Sequence, residues 1–403
     1  MPEKNWRKNK TRCDNMPELT TFFIILLIGL IFSDIFKRLH LPYVTALIIA
    51  GIAIGPHGFN VVKINQVTEF LGSIGVIFLM FIAGSEIKSS VFKDIKEKAF
   101  VQSLFNGFIP FIAGAAIGYY FTHDILATLI LATIFVSSSV GVIIPSLESF
   151  DLVKTRLGET LMASTVIQDI TSLLLLALIL QSTNPITFIP LYLYIPLLLG
   201  IVWLLKTIVP KLYRLYHKGR TRKDLFESEL RFVFVNLIAI VVLFEILGLH
   251  SIVAGFITGM ILTDSIKGKL KQKIHTLSYG LFIPVFFLVI GLQMDLSVFY
   301  ERSSFLLISS IVIGLLFSKI VSGWLGGKAN KYSNRGSLLM GFASIPQLST
   351  SLAAAFAAHE FGLLSSDIIS GLIILSIITT LLAPLLVRLG HYISTPKDFE
   401  GER

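Results

Sequence analysis

In the stretch STVIQDI, residues 164–170, an amide and a carboxylate, Gln168 and Asp169, stand side by side within a mostly apolar run. A carboxylate at the centre of a membrane helix costs about 2.5–3.5 kcal/mol on insertion scales, so such groups mark ion or proton pathways. Asp169 can hold a proton or a monovalent cation, but not both. Na+ and K+ take oxygen ligands, which Asp169, Gln168 and the hydroxyls of Ser137, Ser138 and Ser139 would supply. Free aspartic acid titrates near about 3.9, so the surroundings must set the proton affinity of this one. Lys319, in LLFSKIVSG, is the other charge deep in an apolar run. The plainer alternative is an Asp169–Lys319 ion pair that only joins two helices.

The other polar residues offer less chemistry. Asp34, Glu86, Glu245 and Asp295 fall toward the ends of apolar runs, and His57 and His359 are read as interfacial. His359-Glu360 lacks the spacing of a zinc protease. Neither a Gly-x-Ser-x-Gly elbow nor a Walker loop is present. Without a nucleophile–base or metal set, an enzyme is not expected, and no cofactor is implied.

The elements that must carry these residues are helices in a membrane. Charged residues make up 15% of the 403 and hydrophobic residues 54%, with a mean hydropathy of +0.79. Soluble domains carry about 25% charged residues. About thirteen runs reach bilayer-spanning length: 19–37, 41–57, 67–86, 99–121, 124–147, 155–181, 186–208, 229–248, 250–265, 272–292, 303–326, 335–360 and 363–389. They are too long for barrel strands, and backbone in lipid must satisfy its own hydrogen bonds, so they are helical. The expected fold is an all-α polytopic membrane protein. The net charge of +9 does not point to nucleic acid, because most Lys and Arg gather on one side of such an arrangement, around Lys93, along 206–231 and at Lys267 to Lys273. By the positive-inside rule this puts the N-terminus outside and the C-terminus in the cytoplasm of a cell-membrane protein. The basic tail, residues 1–18, breaks the pattern, so translation is expected to begin at Met16. Cys13, the single cysteine, excludes an internal disulfide or cysteine metal site.

The chain is written twice. GSEIKSSVF (84–92) and GLQMDLSVF (291–299) match at an offset of 207, DIFKRLH (34–40) resembles EILGLH (245–250), and Gly51/Gly55 correspond to Gly255/Gly259. SSSV (137–140) and STSL (349–352) match at an offset of 212. Matching runs are seven apart, an odd number, so the halves must be inverted: repeat one 19–181, a linker helix 186–208, and repeat two 229–389. Inverted repeats with discontinuous helices at the midplane characterise secondary transporters. The fifth and twelfth runs carry hydroxyls with Pro145 in one and Pro346, Gln347 and Ser349 in the other. Proline removes a backbone donor and disturbs the preceding turn, so both are expected to be broken. The Gly-x-x-x-Gly pairs, including Gly114/Gly118 and Gly323/Gly327, are expected at helix contacts.

AGIAIGPHGF (50–59), IFLMFIAGSEIKSSVF (77–92), FVSSSVGVIIPSL (135–147), LGETLMASTVIQDI (157–170), GLHSIVAGFITGMIL (248–262), FIPVFFLVIGLQMDL (282–296) and Lys319 together resemble the monovalent cation:proton antiporters, on the branch of the glutathione-gated potassium efflux systems. The resemblance covers 19–389. It implies two broken helices that cross, a core sliding against a scaffold that includes the second and ninth runs, and a homodimer. Asp169 then resembles the carboxylate that alternately holds proton and cation, and Lys319 the family's lysine before the second broken helix. Two features depart from many relatives: PQLSTS (346–351) has no charge in the second break, and residues 390–403 leave a short cytoplasmic tail, so ligand gating would need a separate regulatory subunit. Because Gln168 is neutral, one Na+ or K+ for one H+, electroneutral, is the natural exchange. A sodium-coupled symporter of a small organic solute is the alternative; a channel fits the repeat less well.

Overall fold

The molecule is described from a computed structural model over residues 18–38, 43–85, 96–183, 191–217, 227–247, 250–262, 268–295 and 300–399. Cys13, Met16, Glu86, Lys93, Lys267 and residues 400–403 lie outside the described residues, as do most of 84–92 and the end of 291–299. Among the described residues all regular structure is helical.

In chain order the helices are α1 Glu18–Arg38, α2 Tyr43–Ile54, α3 Gln66–Ser85, α4 Lys96–Thr122, α5 Ile125–Val136, α6 Val140–Glu148, α7 Arg156–Thr183 and α8 Leu191–His217. There follow α9 Ser228–Ile246, α10 Ser251–Leu262, α11 Gly268–Leu277, α12 Ile283–Leu292, α13 Arg302–Ala329, α14 Asn334–Ala343, α15 Ser349–Glu360 and α16 Ser366–Ile393. A π-helical turn, Ser278–Phe282, carries α11 directly into α12. Among the described residues, each apolar run expected from the sequence lies largely on helix. Seven stretches among the described residues are long and apolar enough to cross a membrane, and α2, α10 and part of α1 are shorter apolar helices.

The starts of several helices are set locally. Asp124 accepts from the Ala127 amide, Ser333 from Gly336 and Ser365 from Ile368, each satisfying a first-turn donor that has no helical partner.

The helices form two bundles. The first contains α1–α3 and α8–α12, with α2 against α12 and α3 against α10. The second contains α4–α7 and α13–α16, with α4 against α13, α5 against α4, and α14 against α13. These contacts run between the two halves of the chain: α2, with Gly51 and Gly55, packs on α12, and α10, with Gly255 and Gly259, packs on α3. Small residues permit it. A Cβ on Gly51 would lie 2.1 Å from the Leu288 carbonyl oxygen, and one on Gly259 2.2 Å from that of Phe81. In the second bundle the Gly323 and Gly341 backbones meet in the same manner. The glycine pairs therefore do sit at helix contacts, where close approach replaces the hydrophobic driving force that lipid does not supply.

The fifth and twelfth runs are interrupted at 137–139 and 344–348. Pro346 lies in the second interruption, but Pro145 lies inside α6, beyond the first. The first break is thus made by three serines, not by a proline. Pro145 sits in the second turn of a nine-residue helix, where little helix precedes it to be broken.

Candidate ion-binding site

The two breaks touch. The Ser139 amide donates to the Pro346 carbonyl at 2.7 Å, and Ser138 Oγ donates to the Ser344 carbonyl at 2.9 Å. Ser137 Oγ lies 2.9 Å from Ser351 Oγ and 3.2 Å from Gln347 Oε1, while Gln347 Nε2 donates to the Ser137 carbonyl and Ser351 to Gln347 Oε1. The Gln347 amide is satisfied by Thr379 Oγ1 of α16 at 3.1 Å. Four half-helix ends meet here: the C-termini of α5 and α14, and the N-termini of α6 and α15.

Each end attracts charge of the opposite sign. Lys319, on α13 and fully buried, reaches the C-terminus of α5: its Nζ is 2.8 Å from the Val136 carbonyl, 2.9 Å from Ser138 Oγ and 3.3 Å from the Asn106 carbonyl. It also lies 3.4 Å from Gln168 Oε1. Asn106 of α4 ties this cluster together. It donates to Gln168 Oε1 at 3.1 Å and accepts from Ser322 at 2.6 Å.

Asp169 stands at the other pair of ends. It lines a cavity of about 190 Å3 on the seam between the bundles, with Ser139, Val140, Gly141, Leu348 and Ser349 from the starts of α6 and α15. The carboxylate faces the Thr350 side chain and the Ser138 backbone. Three of the oxygens here, Asp169 Oδ1, Ser139 Oγ and Thr350 Oγ1, are buried without a hydrogen-bond partner. Buried polar atoms are usually paired, and one carboxylate oxygen with two neighbouring hydroxyl oxygens makes a set of hard donors suited to a bare monovalent cation. The first bundle closes the cavity with mostly apolar side chains, among them Leu79, Ile82 and Phe287, together with Tyr279.

The ion pairs of the described residues include no Asp169–Lys319 pair. The plainer reading of these two charges, a strut between helices, does not describe them. Lys319 is held by carbonyls and hydroxyls, leaving the carboxylate to the cavity.

The fold therefore brings Gln168, Asp169, Lys319, Ser137, Ser138, Ser139, Pro346, Gln347 and Ser349 together at the crossing, and leaves Pro145 outside it. Asn106, Ser322, Thr350, Ser351 and Thr379 belong to the same cluster and were not singled out from sequence. Asn106 carried a signal: it is a lone amide in the apolar stretch SLFNGFIP. The hydroxyls did not, since Ser and Thr are ordinary residues of packed membrane helices. The expected interfacial His57 is half exposed and lies 3.1 Å from Asp295.

Residues 22–388 match the family described as sodium/hydrogen exchanger, transmembrane. The chain is 32% identical, over 91% of its length and 95% of the relative's, to the probable Na+/H+ antiporter 3 of Methanocaldococcus jannaschii. It is 28% identical to the Na+/H+ antiporter of Enterococcus hirae, covering 91% and 96% of the two chains. With the Na+/H+-K+ antiporter GerN of Bacillus cereus the identity is 24%, over 91% and 95%. The solved sodium proton antiporter MjNhaP1 of M. jannaschii at pH 8 shares the fold, with a TM-score of 0.70 at 19% identity over 93% of this chain and 96% of that one. The chain belongs to the transmembrane sodium/hydrogen exchanger family, a family of multi-pass transporters rather than enzymes.

Proposed function

We propose that the protein exchanges Na+ or K+ for H+ across a cell membrane, with Asp169 taking proton and cation in turn. The observation that carries this reading is a buried carboxylate, Asp169, that lines with Ser139 a cavity between two separately packed bundles and has the Thr350 hydroxyl beside it. The names of the relatives favour Na+, and GerN, named for both ions, keeps K+ in the proposal.

In this mechanism a cation arriving in the cavity displaces the proton from Asp169 and is held by the three oxygens. The second bundle then moves against the first and delivers the ion to the other side. With Lys319, fixed at the end of α5, keeping its proton throughout, one cation exchanges for one proton and the step is electroneutral. An empty, ionised Asp169 must not cross. Facing the apolar wall of Leu79, Ile82 and Phe287, a bare anion is far costlier than a neutralised one, which makes movement conditional on ligand.

All thirteen apolar runs cross the bilayer in this reading. The basic helix α11, with Lys269, Lys271 and Lys273, leads into Tyr279 at the cavity, so the positive-inside rule assigns the cavity to the cytoplasmic side. The exposed apolar residues of α1, such as Leu19, Phe23 and Leu30, face lipid or a second copy in a homodimer, and a separate regulatory subunit remains part of the proposal.

Proteoliposomes with an imposed pH gradient and a lumenal pH dye test it. Na+ or K+ should collapse the gradient, choline should not, and Asp169→Asn should not respond. Collapse by the mutant at the wild-type rate refutes the role of Asp169.

A further inference from the structure

The seam between the bundles is hollow at one level and clamped at another. Leu79 and Ile82 of α3 line the cavity at Asp169. Ser73, nine residues before Ile82 on the same helix and so about 14 Å away along its axis, instead shares its hydroxyl hydrogen between the Glu69 carbonyl at 3.0 Å and Glu360 Oε1 at 3.3 Å. Glu360 is the last residue of α15, in the opposite bundle. Its other oxygen, Oε2, lies 3.0 Å from His250 Nε2.

His250 is built into the start of α10. Its carbonyl accepts from Val253 and Ala254, and its Nδ1 accepts from the Ile252 amide at 3.3 Å. With Nδ1 used as acceptor, the neutral ring carries its hydrogen on Nε2 and donates it to Glu360. The His250 side chain is 8% exposed against 38% for Glu360, and the Phe361 ring meets the imidazole edge-on. One carboxylate of the second bundle is thus held by two helices of the first.

A third contact across the seam, the Asp295 amide donating to Ser370 Oγ of α16 at 3.1 Å, adds a second tie. Between clamp and cavity the seam is filled. Ser349, Ala353, Phe356 and Glu360 run along one stripe of α15 at helical spacing; Ser349 lines the cavity, Ala353 is fully buried, and Phe356 packs against Phe286 of α12 at 5.9 Å.

We propose that Glu360, gripped by His250 and Ser73, is a latch that holds the two bundles closed at this end and so sets the population of the state seen here. The proposal rests on the reading that the bundles move against each other. For them to do so, this contact must break and Phe356 must slide, which exposes the stripe of α15 around Ala353. The latch acts on the conformational equilibrium without touching the transported ion.

The test follows the labelling rate of a cysteine at Ala353 by a water-soluble maleimide, in nanodiscs, on a Cys13→Ser background. Glu360→Gln keeps an acceptor for Ser73 and loses the charge. His250→Asn keeps a side-chain acceptor near the Ile252 amide and loses the reach to Glu360. Each is expected to raise labelling about threefold or more, the population shift that loss of one charge-assisted contact allows. The exchanged pair, His250→Glu with Glu360→His, should restore the wild-type rate. Unchanged labelling in both single variants overturns the proposal, as does a double variant as fast as the single ones, which would mean loosened packing and not a lost latch. The readout needs no transport, so its failure is separable from failure of the exchange reading, which is judged by Asp169→Asn in proteoliposomes.

Discussion

Asn106, which does not line the cavity, supports the polar groups of the candidate site. Its amide orients the Gln168 carboxamide while its carbonyl receives Lys319, so three of the site's polar groups share one support. Asn106→Ala would leave Gln168 Oε1 and the Ser322 hydroxyl with fewer partners inside the protein. Gln168 Oε1 keeps Ser138 and Lys319, and Ser322 keeps the Lys319 carbonyl, so the loss is of two hydrogen bonds at about 0.5–1.5 kcal/mol each. We expect Asn106→Ala to lower the thermal unfolding midpoint in detergent and to raise the cation concentration giving half-maximal exchange. A variant matching wild type in both would show that Gln168 is positioned without it. Lys319 follows the same logic. Its four oxygen neighbours make it the positive cap of α5 first and a neighbour of Asp169 second.

At the scale of elements, helix pairs are set by glycine contacts and the broken helices by serine contacts. A Cβ at Gly51 would meet backbone, the Leu288 carbonyl and Gly291 Cα, which cannot step aside as a side chain can. Gly51→Ala is therefore expected to destabilise by about 1–3 kcal/mol, the usual cost of overpacking. Gly200 of α8 has nothing within 4 Å of its added Cβ, so Gly200→Ala should be neutral or stabilise by up to about 1 kcal/mol, from helix propensity. Paired thermal unfolding curves check both. Equal behaviour of the two variants would contradict a contact-driven assembly of α2 on α12.

At the scale of the whole molecule, the two bundles divide the labour. The second holds every charge of the site, and the first offers it an apolar wall. If Lys319 stays protonated through the cycle, exchange moves no net charge. Solid-supported membranes should then show no current that grows with Na+ or K+ concentration at zero imposed voltage. A current scaling with the cation would bring Lys319 into the proton cycle and make the exchange electrogenic.

The membrane class, the helical runs and the conspicuous pair Gln168-Asp169 were legible in the residues because each depends on local properties. Hydrophobic length sets a span, and a carboxylate in an apolar run is conspicuous wherever its partners are. The two interruptions were also anticipated, although Pro145 stands within the second half-helix of its run, in the second turn of α6, and the interruption itself falls on the serines before it. What the sequence alone left open was which polar groups face one another. Lys319 could have paired with Asp169, and only the crossing of α5 and α14 at their C-termini shows that its ammonium goes to carbonyls instead. The latch residues His250, Ser73 and Glu360 lie up to 287 positions apart. Nothing local distinguishes such residues from ordinary polar groups at helix ends, where solvation is cheap, and it is the packing of one bundle on the other that gives them a common task.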